Sequence, residues 1–262
     1  MHSERSNVSG SVAGPPPQRR EPARAGADGE PSAAGWRQHL SYLVLVCAKG
    51  LSRAFFRIEV HWVGEPVDDP WSDVRVVALL NHTSLYDWLF VAVPPNRLLH
   101  RLARHGVLPS AAKTMQRPLV GRFFGFLAGS VVTVSRERDH TWQQFLSSIG
   151  PDSMVLLAPE GRMKRATGLD LEGRPMTVRG GIADILQVVG SGRMLLAYSG
   201  GLHHVQIPGQ FLPRLFKTIR VRVESVDVEA YCRSLREPPG SEEFKRAVKA
   251  DLERRRDLYC QP

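Results

Sequence analysis

Along the chain, short unbroken apolar runs alternate with longer stretches in which apolar residues recur at helical spacing. Residues 74–80, VRVVALL, form an apolar, β-branched run that reads as a buried strand. The run stops at Asn81-His82-Thr83-Ser84, and an apolar helical pattern then runs from Leu85 until Pro94-Pro95 ends it. Residues 129–136 (GSVVTVSR), 153–158 (SMVLLA) and 194–198 (MLLAY) predict further strands, and 218–228 alternate like a long, half-exposed one. Residues 97–104 are a short strand candidate. Helical spacing marks 118–127 (interrupted by glycine), 139–149, 182–189 and the strongly charged 241–259. Strands alternating with helices predict the α/β class: a single domain with a central, mostly parallel or mixed sheet flanked by helices.

Before that domain, assigned to residues 63–262, the pattern changes twice. Residues 1–35 are rich in Ser, Gly, Pro, Ala and Arg and lack apolar periodicity, so they are expected to be a disordered tail. The tail has no apolar core of the kind a signal peptide needs. Residues 36–62 mix apolar and basic positions, and their longest apolar run is far short of the ~20 residues that span a bilayer. They predict an amphipathic helical segment with Lys49, Arg53 and Arg57 at its polar margin and Phe55 and Phe56 opposite. Such a segment either lies in a membrane interface or packs on the domain with its basic residues in water.

Charge narrows the partners. Of the 262 residues, 35 are Lys or Arg and 26 are Asp or Glu, a net +9 that suits an anionic bilayer, a phosphorylated small molecule or nucleic acid. The three cysteines are scattered without a CxxC pair, which argues against a disulfide framework. The adjacent His203 and His204 diverge and have no ligand cluster near them in sequence, so no metal site is expected. There is no GxSxG nucleophile elbow. Ser110 and Lys113 fit SxxK, but no SDN or KTG element accompanies them.

The candidate chemistry lies at the turn after residue 80, at the carboxyl end of a strand, where open α/β sheets place their sites. A neutral imidazole can take a proton from an attacking alcohol, provided a carboxylate fixes its tautomer and stabilises the imidazolium. His82 and Asp87, with four residues between them, can form such a pair if a helix begins near Ser84. The same residues fit a capping box, with Ser84 as N-cap and Asp87 merely steadying the first turn.

Three blocks in order decide how the turn is read. Asn81-His82-Thr83-Ser84-Leu85-Tyr86-Asp87 is similar to the NHxSxxD block of the glycerolipid acyltransferases, the lysophosphatidic acid acyltransferase family. Residues 129–136 resemble that family's second block, and Pro159-Glu160-Gly161-Arg162 resembles its third. The resemblance implies an O-acyltransferase with His82 as general base, Asp87 as its orienting carboxylate, and no cofactor. The donor would be acyl-CoA or acyl carrier protein. The acceptor would be a lysophospholipid, lysophosphatidic acid first, on the cytoplasmic face of an anionic membrane surface. Asn81, Ser84, Arg136, Glu160, Gly161 and Arg162 would bind substrate, with the arginines, helped by Lys164, Arg165 and Arg179, facing a phosphate. Ala158 stands where the family usually has an aromatic, and Arg162 where it has Thr, which leaves another lysolipid or an acyl-amino-acid acceptor open. A nucleic-acid-binding protein without catalysis is the alternative on charge alone; no such motif appears, and no nucleic acid is expected as a partner.

Overall fold

The computed structural model describes residues 33–111, 129–135, 139–207, 210 and 212–260. Its first element is helix α1 (Ala33–Phe55), followed by strands β1 (Arg57–Val63) and β2 (Val74–Leu80). A 3-10 helix (Leu85–Ala92), α2 (Asn96–His105), β3 (Gly106–Ala111) and β4 (Ser130–Val134) come next. Then follow α3 (His140–Ser147), β5 (Met154–Leu157), α4 (Gly181–Val189), β6 (Arg193–Ser199), β7 (Thr218–Asp227), α5 (Val228–Ser234) and α6 (Glu242–Tyr259). The seven strands form one mixed sheet in the order β1-β7-β6-β2-β5-β3-β4. Every neighbouring pair is parallel except β6 and β7, so β1 and β7 run against the other five.

The two faces of the sheet are packed differently. In β2, Val74, Val76, Ala78 and Leu80 are fully buried, whereas Arg75, Val77 and Leu79 are only partly so. On one face Val76, Ala78 and Leu80 join Phe145 of α3, Ile182, Ile185 and Leu186 of α4, Tyr231 of α5, and Phe244, Val248 and Leu252 of α6. Three of the four helices of this layer start from side-chain caps: Asp139, Asp227 and Ser241 accept from the N–H groups of Thr141, Ala230 and Phe244, whereas α4 follows Gly180. On the other face Leu45 of α1 and Leu98, Leu99 and Leu102 of α2 cover Met154, Leu195, Val221 and Val223.

Three sequence expectations change. Residues 97–104 are helix, not strand: Leu98, Leu99, Leu102 and Ala103 fall on one side at helical spacing and are buried there. The segment 36–62 is helical only to Phe55; Arg57–Val63 is an edge strand paired with β7, so the sheet begins before residue 63. Of the three basic residues expected at its polar margin, Arg53 and Arg57 are exposed, but Lys49 points inward. Lys49 is buried and donates to Pro94 O at 2.7 Å and Asn96 Oδ1 at 2.8 Å, and Arg53 donates twice to Ala92 O. Both cations thus satisfy carbonyls at the end of the 3-10 helix, where cations are favoured. The large apolar residues α1 leaves exposed are Trp36, Leu43, Leu51 and Phe55. Of the expected tail, residues 33–35 form the first turn of α1. Residues 1–32, the helix expected at 118–127, Lys113 and Arg136 lie outside the described residues.

Candidate active site

Parallel strands β5, β2 and β6 end side by side, and the turns that leave them are tied together. Asn81 turns the chain at φ +64°, a left-handed conformation that Asn tolerates, and its Nδ2 donates to Ser199 O at 2.8 Å. The third-block turn closes with Gly161 N–H donating to Ala158 O at 2.9 Å, with Gly161 at φ +62°, where a residue with a Cβ is strained. Glu160, wholly buried, accepts from the N–H groups of Asn81 at 3.3 Å and His82 at 3.0 Å. Lys164 N–H then donates to His82 O at 2.8 Å. First and third blocks are therefore sewn together through the backbone of the turn that carries His82. Gly129 of the second block closes on the amino side of β4, where a Cβ would sit 2.8 Å from Arg104 O; only glycine fits.

Within the turn the capping-box reading holds for Ser84 but not for Asp87, which pairs with His82. Ser84 is the N-cap of the 3-10 helix, accepting from Tyr86 N–H at 3.1 Å while its hydroxyl donates to Gln206 Oε1 at 2.6 Å. Asp87 does not complete the box. Its Oδ2 lies 2.5 Å from His82 Nδ1, a short contact between a half-buried ring and a buried carboxylate. With Nδ1–H facing Asp87, the second ring nitrogen, Nε2, carries the free lone pair.

Electrostatics raise the pKa of the ring. Burial is the largest single influence on His82 and works to lower its pKa. The charge and hydrogen bond of Asp87, with the charge of Glu160 behind them, outweigh burial and leave the pKa above the ordinary histidine value. For Asp87, burial is again largest and lifts the carboxyl above its usual range, opposed by His82, the Thr83 amide and the charge of His203.

From His82 and Asp87 an apolar cavity of about 230 Å³ extends over the loosely packed face of the sheet, between β2, β5, β6 and β7 below and α1, the 3-10 helix and α2 above. Its walls include Leu45, Trp71, Leu99, Met154, Leu195 and Val223, and the partly buried Val77 and Leu79 of β2 face it. His82, Ser84 and Asp87 are the polar residues that line it.

The expected cations are arranged less simply. Arg162 is turned to the buried Asp170, which also bonds Arg174 and accepts from the N–H groups of Glu172 and Arg174. Those bonds fold the loop back on itself, so Arg162 braces it rather than standing free, although its Nε is buried without a hydrogen-bond partner among the described residues. The structure thus brings together Asn81, His82, Ser84, Asp87, Glu160 and Gly161. Sequence reasoning missed Asp170, Gln206 and Arg256. Asp170 had a usable signal, an Asp three residues before Gly in a polar loop, the composition of an Asx turn. Among the described residues no cluster of three or more His, Cys, Asp or Glu has metal-binding geometry.

The family model named Acyltransferase matches residues 63–195, just over half of the chain, and includes the first and third blocks. The chain belongs to the acyltransferase family. Its fold is also similar to the crystal structure of the 1-acyl-sn-glycerophosphate (LPA) acyltransferase PlsC from Thermotoga maritima. The two are 17% identical, the match covers 85% of this chain and 81% of that one, and the TM-score is 0.48. No curated protein matches. Membership of the family makes this an acyl-transferring enzyme, and the mixed sheet with a helix leading into it is the frame on which it is built.

Proposed function

We propose that the protein moves a fatty acyl chain from acyl-CoA or acyl carrier protein to the hydroxyl of a lysophospholipid, lysophosphatidic acid first, giving phosphatidic acid. The observation that carries this reading is the 2.5 Å contact between His82 Nδ1 and Asp87 Oδ2 beside an apolar cavity of about 230 Å³. The cavity takes the acyl chain and leaves the thioester carbonyl next to the ring. His82 Nε2 accepts the proton of the acceptor hydroxyl as its oxygen bonds to the carbonyl carbon. The C–S bond then breaks, and the thiolate leaves with the proton from the imidazolium, so no acyl-enzyme forms. Asp87 holds the tautomer and stabilises the transient cation. Arg136 meets the acceptor's phosphate, while Arg162, paired with Asp170, steadies the third-block loop.

The enzyme works peripherally at the cytoplasmic face of the membrane. Two facts support this part of the proposal. No helix among the described residues is long and apolar enough to cross a membrane. The outward Trp36, Leu43, Leu51 and Phe55 of α1 stand exposed, with Phe216 against Phe55 at a ring distance of 6.2 Å.

The test incubates purified protein with labelled acyl-CoA, or acyl carrier protein, and a panel of lysolipids, and follows which lipid gains label. Acyl transfer to lysophosphatidic acid is expected, lost in His82→Ala with an unchanged melting curve. Turnover at the wild-type rate in that variant would remove the mechanism.

A further inference from the structure

Glu160 poses a physical problem that the reaction scheme does not address. A carboxylate with no solvent exposure is costly to keep ionised unless a cation and hydrogen-bond donors compensate it. The donors are the amides of Asn81 and His82. The cation comes from far along the chain: Arg256, in the last turn of α6 and 96 residues away, places Nη1 3.4 Å from Glu160 Oε1. The same nitrogen donates to Met176 O at 3.0 Å, and one helical turn earlier Glu253 accepts from Val178 N–H at 2.8 Å. The end of α6 therefore braces both the third block and the strand of loop behind it. Arg256 lies beyond the residues that the family model spans.

We infer that Arg256 is a positioning residue for acyl transfer: it holds Glu160 as a carboxylate aimed at the backbone of residues 81 and 82, and through that clamp fixes the ring of His82. The inference rests on His82 acting as the general base. The groups facing the clamp are Asp87 from the 3-10 helix and His203 from the loop after β6, on the side of His82. Around Glu160 they are Arg256, Asp257 and Cys260 at the end of α6, Asp257 Oδ1 lying 2.9 Å from the Arg256 guanidinium, with Lys164 from the third block. Without Arg256, Glu160 loses the cation that anchors it, and its carboxylate is no longer held against the two amides it accepts from.

The experiment measures kcat and KM against pH for Arg256→Met, Arg256→Lys, Glu160→Gln and the Glu160→Gln/Arg256→Met double variant of the full chain. Arg256→Met is expected to lower kcat about tenfold or more, with KM for the acyl donor within about twofold. The acidic limb of the Glu160→Gln profile should move to lower pH, because the Glu160 charge helps to hold the His82 pKa up. Lys in place of Arg256 should restore most of kcat, because the charge is kept. The double variant should be no worse than the poorer single one, since the two residues act as a unit. Additive losses, an unmoved limb, or Lys as poor as Met at equal thermal stability would overturn the inference. If Arg256→Met does not fold, the Lys and Gln variants carry the same comparison. His82→Ala separates the two levels: activity there sinks the mechanism itself, whereas an inactive His82→Ala beside a normal Arg256→Met sinks only the clamp.

Discussion

The two faces of the sheet are made from the same strands and do opposite things. On the α3–α6 side, residues such as Phe145, Ile185, Val248 and Leu252 have no exposed surface and join one cluster. On the α1–α2 side, the partner residues Val77, Leu156 and Ala197 are only partly buried because a cavity lies over them. Interiors normally pack to crystal density, since unfilled space forfeits dispersion and transfer energy. A cavity kept open beside His82 and Asp87 is a cost in stability that the packed face offsets. The difference teaches that β2 serves two ends at once: Val76, Ala78 and Leu80 anchor the domain, and Val77 and Leu79 shape the ligand site.

Substitutions should separate the two roles. The largest effect is expected at the polar end of the cavity, where His82→Ala should cut turnover about 10²- to 10⁴-fold, the range of general-base catalysis, while the melting temperature holds. On the packed face, Phe145→Ala should do the reverse. Truncating a fully buried Phe costs about 3–5 kcal/mol in chemical denaturation, with kcat per folded molecule unchanged. A Phe145→Ala variant with normal stability and altered chain preference would break the comparison.

Next comes Asp87→Asn, which keeps the shape of the carboxyl group but removes its charge. Turnover should fall about 10²-fold. The pH profile should change in a defined direction. In the wild type the ring must be neutral to act, and its pKa is raised, so activity should fall as pH drops through a value above the ordinary histidine pKa. Without the Asp87 charge the lowering effect of burial dominates, and the acidic limb should move to lower pH. A limb that stays in place would mean that the two side chains are not coupled.

Filling the cavity gives a smaller effect. Ala197 lines it from β6, and Ala197→Leu should exclude the far end of a long acyl chain. Each methylene that loses its place is worth about 0.8 kcal/mol, or about fourfold in kcat/KM, so the variant should favour shorter donors in steps of that size. Competition between acyl-CoA donors of different length measures it. An unchanged preference would place the chain elsewhere.

How much of this was legible from residues depends on sequence distance. The apolar runs of β2, β5 and β6 and the three blocks are local patterns, and they were readable because burial on a parallel sheet demands such runs. The His82–Asp87 contact spans five positions and was readable as a possibility; the 3-10 geometry that brings the two together had competed with an equally local capping reading. Residues 97–104 misled because a short segment with arginines between leucines fits either period until its buried side is known. The Glu160–Arg256 and Lys49–Pro94 contacts join positions that only the tertiary fold brings near, and no local signal marks them. For Lys49 the pattern even pointed the wrong way, since a basic residue on an amphipathic helix ordinarily faces water.

That inward lysine supplies the mildest test of the two-face contrast. Burial, with the charge of Arg53 beside it, lowers the Lys49 pKa, yet its two hydrogen bonds tie α1 to the start of α2, and those helices roof the cavity. Lys49→Met keeps most of the packing and removes a buried charge, but it leaves Pro94 O and Asn96 Oδ1 without their donor. The net loss should be about 1–2 kcal/mol, far less than at Phe145. If α1 acts only as a lid on the fold, melting temperature alone will move. If α1 also sets the shape of the cavity, the loosened roof should flatten the fourfold steps of chain-length preference while the acidic limb, set by His82 and Asp87, stays where it was.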